Sequence, residues 1–298
     1  MERCEDKGRD QFMKSLHDTR IYIDQKLQEY LSIDEPLVDG LRESIAYSLF
    51  SGGKRIRPIF CCAVGDIFKV PKETLTSVAC ALEMIHTASL IMDDLPHMDN
   101  ERMRRGRQAN HLIYGQDVAS LASVGLLTMA YEVVLHDVHL ADDKKTKVVS
   151  KLAETVGIQG MVGGQFADLK YLNDSVDYPT LEYIHTHKTA SLFVTSGETA
   201  AIIGDASEDE IQAIRTYAAN LGFAFQIADD LLDATGSEAD AGKSLKIDKA
   251  NFLTLFGVEQ SKELVGKYTR DAMAALTVLN GKSGSLMALG QLLLARNS

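Results

Sequence analysis

Proline, cysteine and strand-like alternation are all scarce in this chain. Five prolines are spread over 298 residues, so little stands in the way of long helices. The four cysteines, Cys4, Cys61, Cys62 and Cys80, contain no Cys-x-x-Cys pair. They suit neither a disulfide framework nor a zinc site, and point to reduced thiols in a cytoplasmic setting. No run of eighteen apolar residues occurs, which leads to the expectation that no helix spans a membrane. The charged start, MERCEDKGRD, does not read as a secretory or transit signal. Positive charge is also short. The net charge is -11, which argues against general nucleic-acid binding, so any basic cluster is a local device.

What is present is helical spacing on a 45% hydrophobic background, enough for a large core. Ile211, Ile214, Ala218, Leu221, Phe225, Ala228 and Leu232 recur in steps of three and four and form one helix face. Ser207 and Glu210 offer a capping box at its start. Similar patterns cover roughly 11–31, 37–50, 58–68, 72–95, 117–138, 143–171, 179–203, 259–279 and 284–296. The breaks are polar or carry Gly and Pro, and no Gly/Ser-rich or Pro-rich linker divides the chain. The expectation is one all-α domain over residues 1–298, a helical bundle. Residues 216–228 carry no charge, and within 74–92 only Glu83 and His86 resist burial. Helices apolar all round are central helices.

Both central helices lead into acids. Asp229 and Asp233 differ by about 40° around a helix and stack above one another, with Asp230 beside them and Gln226 a turn earlier. Three like charges on one helical face repel unless a cation joins them. The other set is Asp93, Asp94 and Asp99. On a continuous helix Asp99 would sit about 240° from Asp93, but Pro96 can end the helix and let Asp99 turn back. Carboxylates without Cys or paired His suit a hard cation, magnesium above all, whose shell is completed by water and phosphate. Two basic islands accompany them: GGKRIRP, with Lys54, Arg55 and Arg57, and RMRRGR, with Arg102, Arg104, Arg105 and Arg107. Arg forks suit phosphate oxygens. The acids hold metal and the arginines hold phosphate.

These residues resemble the trans-isoprenyl diphosphate synthases, the short-chain polyprenyl synthase family. The matching stretches, in family order, are GGKRIRP, EMIHTASLIMDDLPHMDNERMRRG, GMVGGQFADL, HTHKTASLF, and GFAFQIADDLLD followed by GKS. The resemblance implies an all-helical isoprenoid synthase fold with a deep central cavity, assembled as a homodimer. It implies condensation of an allylic diphosphate (dimethylallyl, geranyl or farnesyl) with isopentenyl diphosphate. Asp93, Asp94 and Asp99 would bind Mg2+ from one side, and Asp229, Asp230 and Asp233 from the other. Arg104, Lys188, Thr189, Gln226 and Lys243 would contact the allylic diphosphate. Lys249, or alternatively Lys246, would be a second lysine of that set. Lys54, Arg57, His86 and Arg105 would hold isopentenyl diphosphate. Asp93, Asp99, Asp229 and Lys188 would be the catalytic residues, with the released diphosphate as base.

Product length depends on the cavity below the first acids. Ser89 lies one turn beneath Asp93, roughly 6 Å along the axis, and Ala88 is one residue further. Two small residues there, with Pro96 inside the acidic motif, resemble the bacterial-type geranylgeranyl synthases and imply a twenty-carbon product, with farnesyl diphosphate as the alternative. A class I terpene cyclase would have no use for the GGKRIRP loop, His86 and a second DDxxD. A non-catalytic subunit would be expected to lack acids from one motif, and none is missing.

Overall fold

The computed structural model describes residues 2–171, 176–235 and 251–294. The chain opens with α1 (Glu2–Tyr30), α2 (Asp39–Leu49), α3 (Ile56–Ile67) and α4 (Lys72–Asp93). A minimal antiparallel hairpin follows, β1 (Met103–Arg104) with β2 (Arg107–Gln108). Next come α5 (Asn110–Tyr114), α6 (Gln116–Leu135), α7 (Asp142–Val156), α8 (Met161–Tyr171) and α9 (Tyr178–Ile184). A π-helical turn (His185–Ala190) leads into α10 (Ser191–Ile203) and α11 (Glu208–Thr235). The described chain ends with α12 (Phe252–Ala275), a 3-10 turn (Leu276–Leu279) and α13 (Gly284–Leu294). The all-α expectation holds.

The two charge-poor helices are central. α4 packs against α3 and α6, and α11 against α10 and α12. The layers lock through aromatics: Phe60 on α3 stacks on Phe193 of α10 with ring centroids 4.4 Å apart. Burying a side chain such as Phe60 contributes about 2–3 kcal/mol. Tyr217 on α11 is fully buried, and its hydroxyl donates to the Leu286 carbonyl of α13 at 2.6 Å. The capping box forms: Glu210 accepts from the Ser207 backbone at 2.9 Å, and Ser207 Oγ accepts from the Glu210 N–H at 3.3 Å.

Two expectations need correction. The pattern over 143–171 is two helices, because Gly157–Gly160 breaks it between α7 and α8. The pattern over 179–203 contains the π turn, which apolar periodicity cannot distinguish from regular helix. Among the described residues two helices, α4 and α6, are long and apolar enough, by length and composition, to cross a membrane. Ser and Thr, with Glu83 in α4 and Gly125 and Glu132 in α6, interrupt their apolar runs, so no unbroken run of eighteen marks them. For α4 the apolarity is explained by burial, since 78% of its most apolar window lies inside the protein. For α6 only 39% does, and Leu121, Val124 and Leu135 lie on its exposed side.

Candidate active site

The site starts where α4 stops. Pro96 restrains Leu95, and the helix ends at Asp93 with Asp94 as its C-cap. The chain then turns back, and the Asp99 N–H donates to the Asp93 carbonyl at 2.9 Å. This is the return that the sequence allowed. Burial pushes the Asp93 carboxyl up to about 7; Lys188 opposes the rise, and the nearby Asp99 adds to it.

Lys188 stands on the π turn, and its ammonium pairs with Asp168 of α8 and lies 3.7 Å from Asp99 Oδ2. Burial lowers its proton affinity, but Asp168, Asp99 and Asp93 together hold it above the ordinary lysine value. Gln165, also on α8, donates to Asp99 Oδ1 at 3.2 Å. The contact between α8 and the π turn requires glycine. A Cβ on Gly164 would lie 2.4 Å from the Lys188 backbone nitrogen. Sequence reasoning missed Gln165 and Asp168 as functional candidates, although their i, i+3 spacing puts them on one face of the GMVGGQFADL stretch. Thr189 shares the turn with Lys188 and is half-buried.

The second acidic set lies on α11, next to the same turn. Gln226 donates to Asp230 Oδ1 at 3.0 Å, and the Phe252 N–H donates to Asp230 Oδ2 at 3.2 Å. The Phe252 ring stacks on His185, with centroids 4.9 Å apart. Asp230, Phe252, His185 and the π turn therefore form a continuous path toward Lys188 and Asp99. Asp229 is half-buried beside Asp230. The side chain of Asp233, and Lys243, Lys246 and Lys249 altogether, lie outside the described residues.

Two of the expected site residues pair with each other. Asp94, grouped with the metal-binding acids, is closed into an ion pair with Arg104, whose Nε donates to Asp94 Oδ1 at 3.0 Å. Only 4% of the Asp94 side chain is exposed. Arg104, expected on the allylic diphosphate, is engaged by that carboxylate. The hairpin explains the division of labour. Arg105 and Gly106 both have positive φ, 54° and 75°, as a type I′ turn requires. Arg104 and Arg105 therefore leave the turn in different directions.

Arg105 reaches the other basic island. Its Nη1 donates to the Gly52 carbonyl at 2.5 Å. Gly53 permits this approach, because a Cβ there would lie 2.8 Å from Arg105 Nη1, and its φ of 125° also favours glycine. Lys54, Arg57, His86 and Arg105 line one cleft of about 440 Å³. Arg55 turns inward instead: its Nε donates to Asp24 and its Nη1 to Glu83, both at 2.7 Å. Arg57 Nε is buried with no hydrogen-bond partner among the described residues. Burial, with Arg105 nearby, lowers the Arg57 proton affinity, and Glu83 opposes this. Burial first, then Arg57 and Arg105, push the His86 pKa well below its usual value, so the imidazole is neutral. Such a cleft favours an anion. Glu83, marked in the sequence only as resisting burial, also borders it, as does Arg20, which no spacing in the sequence marks.

Below the acids, Ala88 is buried, and Ser123 Oγ on α6 donates to its carbonyl at 2.8 Å. Ser89 is half-buried, its hydroxyl donating to the His86 carbonyl at 2.9 Å.

The donor chemistry fits magnesium: oxygen only, in two acidic sets, with a half-buried Asp93 whose charge a cation would stabilise. Among the described residues no three acidic or imidazole side chains converge on one point. Magnesium held by one or two carboxylates per ion, with phosphate and water completing its shell, needs no such convergence.

A family model described as Polyprenyl synthetase matches residues 38–278. A geranylgeranyl pyrophosphate synthase of Capsicum annuum, chloroplastic, is 40% identical over 285 residues, covering 93% of this chain and 77% of that protein. Geranylgeranyl pyrophosphate synthase 3 of Arabidopsis thaliana, chloroplastic, is 39% identical, covering 95% and 83%. Among solved structures, a geranyltransferase from Legionella pneumophila superposes with TM-score 0.88 at 33% identity, covering 97% of this chain and 99% of that one. An FPP/GFPP synthase from Zymomonas mobilis does so with TM-score 0.87 at 30% identity, covering 96% and 99%.

Proposed function

The chain belongs to the polyprenyl synthetase family, and on that premise we propose that it is a prenyltransferase condensing isopentenyl diphosphate with an allylic diphosphate to make geranylgeranyl diphosphate. The observation that carries the reading is the cationic cleft of Lys54, Arg57, His86 and Arg105 beside the acid-bearing end of α4. A cyclase acting on one diphosphate has no second anion to hold.

Lys54, Arg57 and Arg105 hold the diphosphate of isopentenyl diphosphate. Neutral His86 donates a ring N–H to it. Asp93 and Asp99 on one side, and Asp229 on the other, are the proposed magnesium ligands. Bound magnesium would stabilise the charge that grows on the departing allylic diphosphate. Lys188, held by Asp168 and Asp99, presents its ammonium toward the same leaving group. The apolar flank of α4 keeps water from the allylic cation. The isopentenyl double bond attacks that cation, and a proton then leaves to the released diphosphate.

The twenty-carbon product is supported by Ala88 and Ser89 and by the two plant relatives, both geranylgeranyl pyrophosphate synthases. Similarity to the FPP/GFPP synthase of Zymomonas mobilis favours keeping farnesyl diphosphate as a second product reading. A homodimer is supported by the exposed apolar side of α6, with Leu121 59% and Val124 53% exposed. Incubation with magnesium, isopentenyl diphosphate and each of dimethylallyl, geranyl and farnesyl diphosphate tests the reading. The expected product is geranylgeranyl diphosphate from every starter. A hydrocarbon formed from geranylgeranyl diphosphate alone would reject it in favour of a cyclase.

A further inference from the structure

α1 lies ahead of residue 38, where the family match begins, yet it reaches the cationic cleft. Arg20 borders the same space as Lys54, Arg57, His86 and Arg105. Its Nε lies 3.9 Å from Asp24 Oδ2, at the edge of ion-pair range, and 47% of its side chain is exposed. Its donors face water and can turn to an anion.

A chain of ionic contacts fixes this part of α1 in place. Asp24, one turn after Arg20, accepts from Arg55 Nε at 2.7 Å. Arg55 in turn donates to Glu83 on α4 at 2.7 Å, with both side chains 2% exposed. Glu83 is one turn from His86, itself part of the cleft. Ile23 and Leu27, on the inner side of α1, are fully buried. The helix cannot drift from the cleft without breaking a buried ion pair and opening the core. Arg55 is held by Asp24 and Glu83, so it cannot serve the substrate. That leaves a multiply charged diphosphate with Lys54, Arg57 and Arg105 on one side and an open flank on the side of α1.

We propose that Arg20 closes that flank: α1 supplies a further binding residue for the diphosphate of isopentenyl diphosphate. This rests on the isopentenyl reading of the cleft. Arg20 touches the unreactive diphosphate rather than the reacting carbons, so its contribution falls on binding rather than on chemistry.

Steady-state kinetics of the full chain, with isopentenyl diphosphate varied at saturating farnesyl diphosphate and magnesium, test it. Arg20→Gln raises the KM for isopentenyl diphosphate about fivefold, the scale of one exposed charge-assisted hydrogen bond. Arg20→Lys recovers most of the loss. Added salt weakens the wild type more steeply than Arg20→Gln, because the variant has one fewer charge to screen. Arg57→Ala is the reference. If Arg57→Ala raises this KM and Arg20→Gln does not, α1 takes no part in binding and the proposal is wrong. If neither raises it, the cleft is not the isopentenyl site and both readings fall. A raised KM accompanied by a lower melting temperature and unchanged salt dependence would make Arg20 a brace, which also overturns the proposal.

Discussion

The backbone N–H of Asp99 donates to the carbonyl of Asp93 at 2.9 Å, across the turn that ends α4. This bond brings to one helix end two carboxylates that helical spacing alone would place on different sides. Lys188 answers them from the π turn, 3.7 Å from Asp99 Oδ2. The candidate site is thus assembled from a helix end, a reversal and an irregular turn.

Asp94 differs from Asp93 in its partners. Its side chain is paired with Arg104 and nearly sealed from water. Asp94→Ala strands Arg104 and should lower stability by about 3 kcal/mol, with turnover falling less than in Asp93→Ala. Urea unfolding and kcat measured on both variants check this. Equal loss of turnover at unchanged stability would make Asp94 a ligand after all.

Two arginines of one loop should fail differently. Arg55→Ala leaves Glu83 buried without its partner and should cost about 3 kcal/mol or more. Arg57→Ala removes a half-buried guanidinium whose Nε has no partner among the described residues. It should leave stability nearly unchanged and raise the KM for isopentenyl diphosphate about tenfold. Thermal melts and substrate titrations separate the two.

Product length should respond to bulk below Asp93. Ser89 is half-buried and has more room than Ala88, which is 3% exposed. Ser89→Phe should shift the product toward farnesyl diphosphate, and Ala88→Phe should do so at some cost in stability from overpacking. Chromatography of the dephosphorylated products reads the outcome. An unchanged product in both variants would put the cavity floor elsewhere.

Acidification should weaken the fold partly through His185. Burial lowers its pKa to about 4, with Lys188 adding to the drop and Asp168 opposing it. The unfolded chain binds this proton near pH 6.5, so below that pH the unfolded state holds more protons and stability falls. The contribution is intact above about pH 6.5 and is lost as pH drops toward 4. His185→Phe should show a smaller drop in melting temperature between neutral and mildly acidic pH. An identical drop would assign the acid sensitivity to other groups.

The central helices were legible because α4 and α11 lack charge around much of their circumference, which a solvated helix would not tolerate. The reversal at Asp99 was legible because Pro96 has only a few backbone options. The pairing of Asp94 with Arg104 was not. Spacing gives the direction of a side chain around its own helix, but its partner is set by where a separate turn delivers another group. The same limit hid Arg20, which reaches the cleft only through contacts between α1, Arg55 and Glu83. It also hid the π turn, whose extra residue per turn leaves no mark on apolar periodicity.

The central claim is that the acids of α4 and of α11 serve one magnesium-bound diphosphate. Calorimetric titration of farnesyl thiodiphosphate, a slow-reacting allylic analogue, into the full-length protein with and without magnesium tests it directly. The account predicts binding that depends on magnesium and that Asp93→Asn and Asp229→Asn each weaken by at least about tenfold. Magnesium-independent binding, or a loss in only one of the two variants, would contradict it.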